Sequence, residues 1–336
     1  MPDNPIAVMD FIDAATATTP DATLLREAGV EIRGERCETE DDVIRIAREA
    51  DVLLDGLAPI TRRVLESLPR CKVVVRYGVG VDHVDLQAAT DEGITIVHVP
   101  DYCVEEVSNH VITFLLAWAK QLAGLDQSVR SGDWAAGMRA PMDKVQSVHQ
   151  ETLGIIGAGR IGLATARKAR ALSMEVLVYD PYVDESKLEA EGLRVVDLTQ
   201  ALAESDYVSL HVPLTDETHH LISHAALQTM KDTAFLINVS RGAIVDEKAL
   251  IDALESKEIA GAALDVFETE PLAADNPLCK MSNTILTPHA AHYSPLATTR
   301  ARTQIAEEVL RALRGEWPLN IANPAVKKRS RLGFPA

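Results

Sequence analysis

Arg241, Glu270 and His289 offer the most direct chemistry in this sequence. Each stands in a loop that follows a short apolar run. Arg241 lies in Ile237-Asn238-Val239-Ser240-Arg241-Gly242. A guanidinium just past a buried strand end, on a short turn, can hold a carboxylate in bidentate fashion. His289 lies in Leu286-Thr287-Pro288-His289-Ala290-Ala291-His292, and a histidine at a strand end is a candidate general acid/base. A carboxylate beside it would favour the imidazolium, and Glu270 could supply that carboxylate. The eight histidines other than His289 and His292, including the adjacent His219 and His220, read as packed or exposed side chains. Asp265, Glu268 and Glu270 cluster after the run 260–264; without a partner, such a cluster reads as solvated.

A different chemistry is offered by Leu153-Gly154-Ile155-Ile156-Gly157-Ala158-Gly159-Arg160-Ile161-Gly162. An apolar run leads into G-x-G-x-x-G and an Ala/Leu-rich helical pattern follows, which is the context a dinucleotide fingerprint needs. Gly157 would allow the tight turn, Gly159 the approach of a pyrophosphate, and Gly162 close packing of helix on strand. The helix N-terminus would present free N–H groups to the phosphates. The next apolar run ends at Asp180, close to the separation of about 20 residues expected of an acid that binds the adenosine ribose. A carboxylate there would repel a 2′-phosphate, so the expected cofactor is NAD, not NADP. Earlier, Arg76-Tyr77-Gly78-Val79-Gly80-Val81-Asp82 follows another apolar run. Its backbone N–H groups could face a small anion, or it could be a plain tight turn.

The elements that must position these loops alternate between strand-like and helix-like patterns. In the first hundred residues, strands are expected at 6–11, 52–54, 73–75 and 94–97, with helices at 21–28, 41–50, 62–68 and 85–92. A long helix is expected over 104–122, then a polar surface excursion over 128–148 containing Trp134 and Pro141. A second series has strands near 153–156, 175–179, 194–196, 207–211, 234–238, 260–264 and 284–287. Ser294-Pro295 starts a last helix, with Ser as N-cap and Pro at N1, running to about Leu313. The alternation predicts two doubly wound α/β parallel-sheet domains. The tail stretch Lys327-Lys328-Arg329 reads as a solvated end.

The chain has 336 residues, enough for about two domains. Its formal net charge of -17 argues against a general nucleic-acid or anionic-membrane partner. Cys37, Cys71, Cys103 and Cys279 are widely separated and show no metal-ligand spacing, so no metal is expected and the thiols fit a reducing cytoplasm. The acidic stretch from Met1 to Asp10 lacks the features of a secretory signal, and no apolar run approaches the roughly 20 residues of a membrane span.

In combination, Gly-Val-Gly-Val-Asp, Gly-Ala-Gly-Arg-Ile-Gly, Asn-Val-Ser-Arg-Gly, Leu-Asp-Val-Phe-Glu-Thr-Glu-Pro and Thr-Pro-His resemble the D-isomer-specific 2-hydroxyacid dehydrogenase family, from about Val73 to His292. The resemblance implies a Rossmann NAD-binding domain over 104–292, inserted into a discontinuous flavodoxin-like substrate-binding domain of 1–103 and 293–336. It implies that Arg241 holds the substrate, that His289 is the acid/base and that Glu270, not Glu268, is its partner. Val79 and Gly80 match the backbone donors to the substrate carboxylate, and Asp265 matches an acid near the nicotinamide carboxamide. Further cofactor contacts are implied for Arg160, Ile161, His211, Val212, Pro213, Val239, Arg241 and His289, as is a homodimer. Pro-His-Ala-Ala-His-Tyr-Ser is most similar to the branch of the C-terminal-binding corepressors and their bacterial dehydrogenase relatives. Those corepressors have Trp where His292 stands, and Asn109 replaces an acid common in the family, so the substrate is left open among glyoxylate, hydroxypyruvate, 3-phosphoglycerate and larger 2-oxo acids. An NAD(H)-sensing scaffold with little turnover is the alternative from a different class. The absence of a further domain after Ala336 makes amino-acid feedback through such a domain unexpected.

Overall fold

The computed structural model describes residues 5–11, 17–56, 58–135 and 145–333. Pro141, Met1 to Asn4 and Ala336 lie outside the described residues. The chain divides into two compact units, one of Met1–Cys103 with Ser294–Ala336, the other of Val104–Tyr293.

The first unit opens with β1 (Ile6–Met9), α1 (Pro20–Glu27), β2 (Glu31–Gly34), α2 (Glu40–Ala47), β3 (Val52–Asp55), α3 (Arg62–Glu66), β4 (Val73–Arg76), α4 (Leu86–Asp91) and β5 (Thr95–Val97). Its strands pair in parallel in the order β2-β1-β3-β4-β5, the flavodoxin-like order. The apolar runs of β1, β3 and β4 are buried throughout because helices cover both faces of the sheet. β2 was not expected from the sequence. It is a short edge strand, Glu-Ile-Arg-Gly, with a single large apolar residue and alternating exposure, so no apolar run announces it. α2 starts at a capping box, in which Thr39 accepts from Asp42 N–H and Asp42 accepts from Thr39 N–H.

The second unit begins with α5 (Val104–Ala119) and α6 (Leu122–Arg130). The single helix expected over 104–122 breaks at Gln121, whose φ is 50°, and a second helix occupies the start of the expected irregular stretch. There follow β6 (Thr152–Ile156), α7 (Arg160–Ala171), β7 (Glu175–Tyr179), α8 (Glu185–Ala190), β8 (Arg194–Val195), α9 (Leu198–Glu204), β9 (Tyr207–Leu210), α10 (His224–Thr229), β10 (Phe235–Asn238), α11 (Glu247–Ser256), β11 (Gly261–Leu264) and β12 (Thr284–Leu286). The seven strands are parallel, in the order β12-β11-β10-β9-β6-β7-β8. The strand order reverses between β6 and β9, and in open α/β sheets ligands bind beyond the carboxyl ends of the strands at such a point. One core lies on each face. Ile156, Val208, Leu236 and Leu264 point to one, and Ile155, Tyr207, Phe235 and Ile237 to the other.

The chain then returns to the first unit through α12 (Pro295–Leu313), where Ser294 Oγ accepts from Ala297 N–H at 2.8 Å. α12 packs on α1 and β4. Its Arg302 reaches the fully buried Asp21 at 3.1 Å. The tail is tied down where Asn323 Oδ1 accepts from Ile96 N–H at 2.8 Å, while Lys327, Lys328 and Arg329 stay exposed.

Candidate active site

The glycine turn joins β6 to α7. Gly157 has φ 101°, which a side chain disfavours, and a Cβ there would come within 2.8 Å of the His211 carbonyl. The loops after β6 and β9 therefore touch at the point where the strand order reverses. A Cβ on Gly162 would fall 2.0 Å from the Gly157 carbonyl oxygen, whereas one on Gly159 would stand in open space. α7 has no side-chain cap, and among the described residues no acceptor meets the Ile161 or Gly162 N–H. Close packing on one side, open space at Gly159 and bare amides with Arg160 at the first helical position fit a pyrophosphate.

Asp180, one residue past β7, is held by two amides. Its Oδ2 accepts from Ala158 N–H at 2.8 Å and its Oδ1 from Tyr182 N–H at 2.9 Å. The carboxylate thus braces the glycine turn and keeps a fixed orientation, with a lone pair on each oxygen left for a ribose hydroxyl. After β9, the His211 ring lies 2.9 Å from Ser209 Oγ, and burial pushes its pKa down to about 3, so the ring is neutral. Val212 packs its side chain against the glycine turn, and Pro213 is exposed.

The loops after β10, β11 and β12 form a second group. Asn238, 1% exposed, turns the β10 loop back on itself: its Oδ1 accepts from Ser240 N–H and its Nδ2 donates to the Arg241 carbonyl. Ser240 Oγ donates to the Leu210 carbonyl at 2.7 Å, and Val239 packs on the core. Gly242 admits no side chain, because a Cβ there would lie 1.8 Å from the Phe267 carbonyl carbon. Its absence lets the Arg241 loop lie directly on the loop that carries Glu270.

The acids after β11 are not a solvated cluster, contrary to the expectation from sequence. Each has a partner. Asp265 is 1% exposed and accepts from Thr287 Oγ1 at 2.5 Å, Ala290 N–H at 2.8 Å and Ala291 N–H at 2.9 Å. Glu268 lies 2.6 Å from His220, and Glu270 Oε2 lies 2.8 Å from His289 Nδ1. Burial alone would raise the Glu270 pKa. The His289 hydrogen bond and the Phe267 N–H, followed by the positive charges of His289 and Arg241, outweigh it and hold the carboxyl below its ordinary value. Arg241 and His289 are therefore both electrostatic neighbours of Glu270. His289 itself has φ 52° and its N–H donates to the Asp265 carbonyl at 2.7 Å. The His292 ring lies 5.9 Å from the His289 ring, edge to face.

Two members of this group were passed over in the sequence. Thr287 links Asp265 to His110 on α5, whose Nε2 is 3.1 Å from Thr287 Oγ1. Burial lowers the His110 pKa, opposed by the Asp265 charge. No sequence signal pairs residues so far apart; only the Thr-Pro-His motif marked the loop. Among the described residues, no group of three or more His, Cys, Asp or Glu side chains could hold a metal ion. No helix among them is long and apolar enough to cross a membrane.

In the first unit, the turn after β4 is built around Arg76, which is 8% exposed. Its Nη1 donates to the Tyr77 carbonyl at 2.9 Å and its Nε to the Gly80 carbonyl at 3.3 Å. The Val79 carbonyl lies 2.7 Å from His98 Nδ1, and the Gly78 carbonyl accepts from Val99 N–H at 3.1 Å. With the carbonyls engaged, the Val79 and Gly80 N–H groups meet no acceptor among the described residues.

Residues 112–291 match the family model described as D-isomer specific 2-hydroxyacid dehydrogenase, NAD binding domain. The chain is 41% identical over 293 residues to a glyoxylate reductase of Korarchaeum cryptofilum, covering 87% of this chain and 88% of that protein. It is 37% identical over 297 residues to a D-3-phosphoglycerate dehydrogenase of Methanocaldococcus jannaschii, covering 88% of this chain but only 56% of that longer protein. The structure of a D-lactate dehydrogenase from Aquifex aeolicus, complexed with NAD and lactic acid, superposes with a TM-score of 0.82 at 28% identity, covering 95% of this chain and 99% of that one. The chain belongs to the D-isomer-specific 2-hydroxyacid dehydrogenase family, and its residues 112–291 are that family's NAD-binding domain.

Proposed function

We propose that this NAD-dependent 2-hydroxyacid dehydrogenase reduces a small 2-oxo acid to the D-2-hydroxy acid, with Arg241, Glu270 and His289 as its catalytic residues. The observation that carries the reading is the 2.8 Å contact of His289 Nδ1 with Glu270, on a loop locked by the buried Asp265. With Nδ1 held by a carboxylate, Nε2 is the atom that gives a proton to the oxygen at C2 and takes it back in the reverse direction. Bound NADH supplies the hydride to C2. Glu270 stabilises the imidazolium, and Arg241 orients the substrate carboxylate, lowering the entropic cost of reaction. The Val79 and Gly80 amides are further donors to that carboxylate.

Gly157, Gly159, Arg160, Ile161 and Gly162 hold the pyrophosphate in this reading, and Asp180 takes the ribose and selects NAD over NADP. His211, Val212, Pro213, Val239 and Asp265 complete the cofactor's surroundings, and His292 lines the substrate. Residues 1–103 and 293–336 form the substrate-binding domain and 104–292 the NAD-binding domain. From the family resemblance, the free thiols and the net charge of -17, we also infer a cytoplasmic homodimer without nucleic-acid or membrane partners.

The test is NADH oxidation, followed by absorbance, with glyoxylate, hydroxypyruvate, pyruvate and larger 2-oxo acids, and with 3-phosphohydroxypyruvate as the 2-oxo counterpart of 3-phosphoglycerate. Turnover of at least one acid is expected. Tight NADH binding with turnover of none would replace the enzyme by a cofactor-sensing scaffold.

A further inference from the structure

The carboxyl ends of β1, β3 and β4 bring three charged side chains together. Met9 pairs with Leu54 and Asp55 with Arg76, so Asp10, the residue after β1, stands beside Asp55. Both carboxyls are out of water, at 1% and 0% exposure. Asp10 Oδ1 accepts from Gly56 N–H at 2.7 Å. Asp55 Oδ2 lies 2.7 Å from His83 Nε2 and 3.8 Å from Arg76 Nε. One oxygen of each acid is left over. Asp10 Oδ2 and Asp55 Oδ1 are buried and meet no donor among the described residues, although the β1–β3 pairing sets the two residues side by side on neighbouring strands. Two bare carboxylates so placed would repel each other strongly. A single proton between the leftover oxygens removes the repulsion and satisfies both.

We propose that Asp10 and Asp55 share one proton and that this pair, acting through Arg76, positions the Val79 and Gly80 amides for the substrate carboxylate. The second half rests on the role given to those amides above. Arg76 is the link, since the guanidinium that faces Asp55 also holds the Tyr77 and Gly80 carbonyls. Loss of the shared proton adds a buried negative charge behind the turn. That charge draws the guanidinium towards the acids and repels an incoming carboxylate. Asp10 and Asp55 are positioning residues, with the reaction itself left to Arg241, Glu270 and His289.

Burial, and after it the Asp55 charge, push the Asp10 pKa up to about 8, against the Gly56 N–H and the Arg76 charge. The other groups facing the pair are His83, Cys37 and Tyr77. Burial and then the Asp10 charge push the Cys37 thiol up to about 12, and burial and Asp21 push the Tyr77 phenol up, so both stay neutral where the pair titrates. Tyr77 and Arg302 are themselves bound to Asp21. The folded protein therefore holds a proton that the unfolded chain releases near its ordinary value of 3.8. Stability from this source falls as pH rises towards the folded value.

The experiment compares wild type with Asp10→Asn and Asp10→Ala, using glyoxylate as the probe acid. In wild type, KM is expected to rise above a pH of about 8, by at most about tenfold per pH unit. Asn at position 10 donates permanently to Asp55, so KM should stay flat across that range, whereas Ala should raise KM at every pH. A KM in Asp10→Asn that rises as in wild type overturns the coupling. The proton itself is read without turnover, as the infrared carbonyl stretch of a neutral carboxylic acid. It should be present in wild type near neutrality, fade in alkali and be missing from Asp10→Asn; a wild type without it overturns the shared proton. Val79→Pro, which removes one of the two amides, tests the underlying reading separately. An unchanged KM there would reject the turn as carboxylate site and leave the infrared result standing.

Discussion

Asp265 in one unit and Arg76 in the other are both buried charges at the carboxyl end of a strand, and they organise their loops in opposite senses. Asp265 is an anion, so it collects donors: the Thr287 hydroxyl and the Ala290 and Ala291 amides. The backbone polarity of that loop is turned inward, and what the loop offers outward is a side chain, the His289 imidazole. Arg76 is a cation, so it collects the Tyr77 and Gly80 carbonyls. What that turn leaves free is backbone, the Val79 and Gly80 amides. In the proposed reading, one charge thus presents a proton-transfer group and the other an anion-binding group. The sign of the buried charge decides which, because a buried ion must be satisfied by dipoles of the opposite end.

The largest effect expected concerns what the Asp265 loop presents. His289→Ala should lower kcat by about a thousandfold or more, within the range of general acid/base loss, while the NADH Kd changes little, since the glycine turn and Asp180 are untouched. Steady-state kinetics with a binding titration decide it, and wild-type turnover would reject the assignment.

Exchanging the two organising charges sharpens the comparison. Asp265→Asn keeps the shape but turns an amide NH2 towards at least one N–H donor. It should lower kcat by about a hundredfold through misplacement of His289, with a modest change in KM. Arg76→Met should do the reverse, raising the KM for the 2-oxo acid by about tenfold or more and sparing kcat. Each should cost about 3 kcal/mol of stability, the scale of leaving a buried charge or donor unpaired, measurable by urea unfolding. If Asp265→Asn moved only KM, or Arg76→Met only kcat, the division between the two loops would be wrong.

These two charges also mark the limit of what the sequence discloses. The glycine turn was legible because its strand, three glycines, helix and acid are contiguous. Arg241 and His289 stand out as candidates because each lies in a loop just past an apolar run, and Glu270 is singled out from Glu268 only by the family resemblance. From residue types alone Asp265 reads as part of a solvated cluster, and only the resemblance gives it a role, because its partners lie on the next strand's loop and only the β11–β12 pairing brings Ala290 and Ala291 to it. Arg76 was seen only as the start of a glycine turn, since a side chain that binds its own loop's carbonyls leaves no pattern in residue types. Asp10 and Asp55 went unremarked for the same reason, being neighbours only once β1 and β3 pair. β2 was missed because an edge strand needs little apolar surface, and α6 because its helix buries none of its residues.

Asp180 is an anion that collects amides, and in the proposed reading it is also a group offered to a ligand. Asp180→Ala should therefore lower the NAD-to-NADP ratio of kcat/KM by about tenfold, the scale of one lost discriminating hydrogen bond. It should also slightly weaken binding of both cofactors, because the Ala158 and Tyr182 amides lose their acceptor. An unchanged ratio would reduce Asp180 to a brace for the turn.

The smallest effect expected is on stability at acid pH, and it separates Glu270 from the buried acids. Glu270 keeps 36% of its side chain exposed and His289 39%, so solvent screens their pair and its worth is modest. The direction is nevertheless fixed. The folded carboxyl is held below its ordinary value of 4.5, so the folded form binds its proton less readily than the unfolded chain does. Its stabilisation is present above that value and is lost as pH falls through the folded one. Wild type should then melt above Glu270→Gln by at most about 3 °C near neutrality, and the gap should close on acidification and shrink in high salt. The Asp10–Asp55 pair slopes the other way, losing stability as pH rises. Relative to wild type, Glu270→Gln should therefore lose ground as pH rises from acid and Asp10→Asn should gain it. If both variants shifted in the same sense relative to wild type as pH rises, either the Glu270–His289 contact or the shared proton would be misassigned, and the infrared carbonyl band would show which.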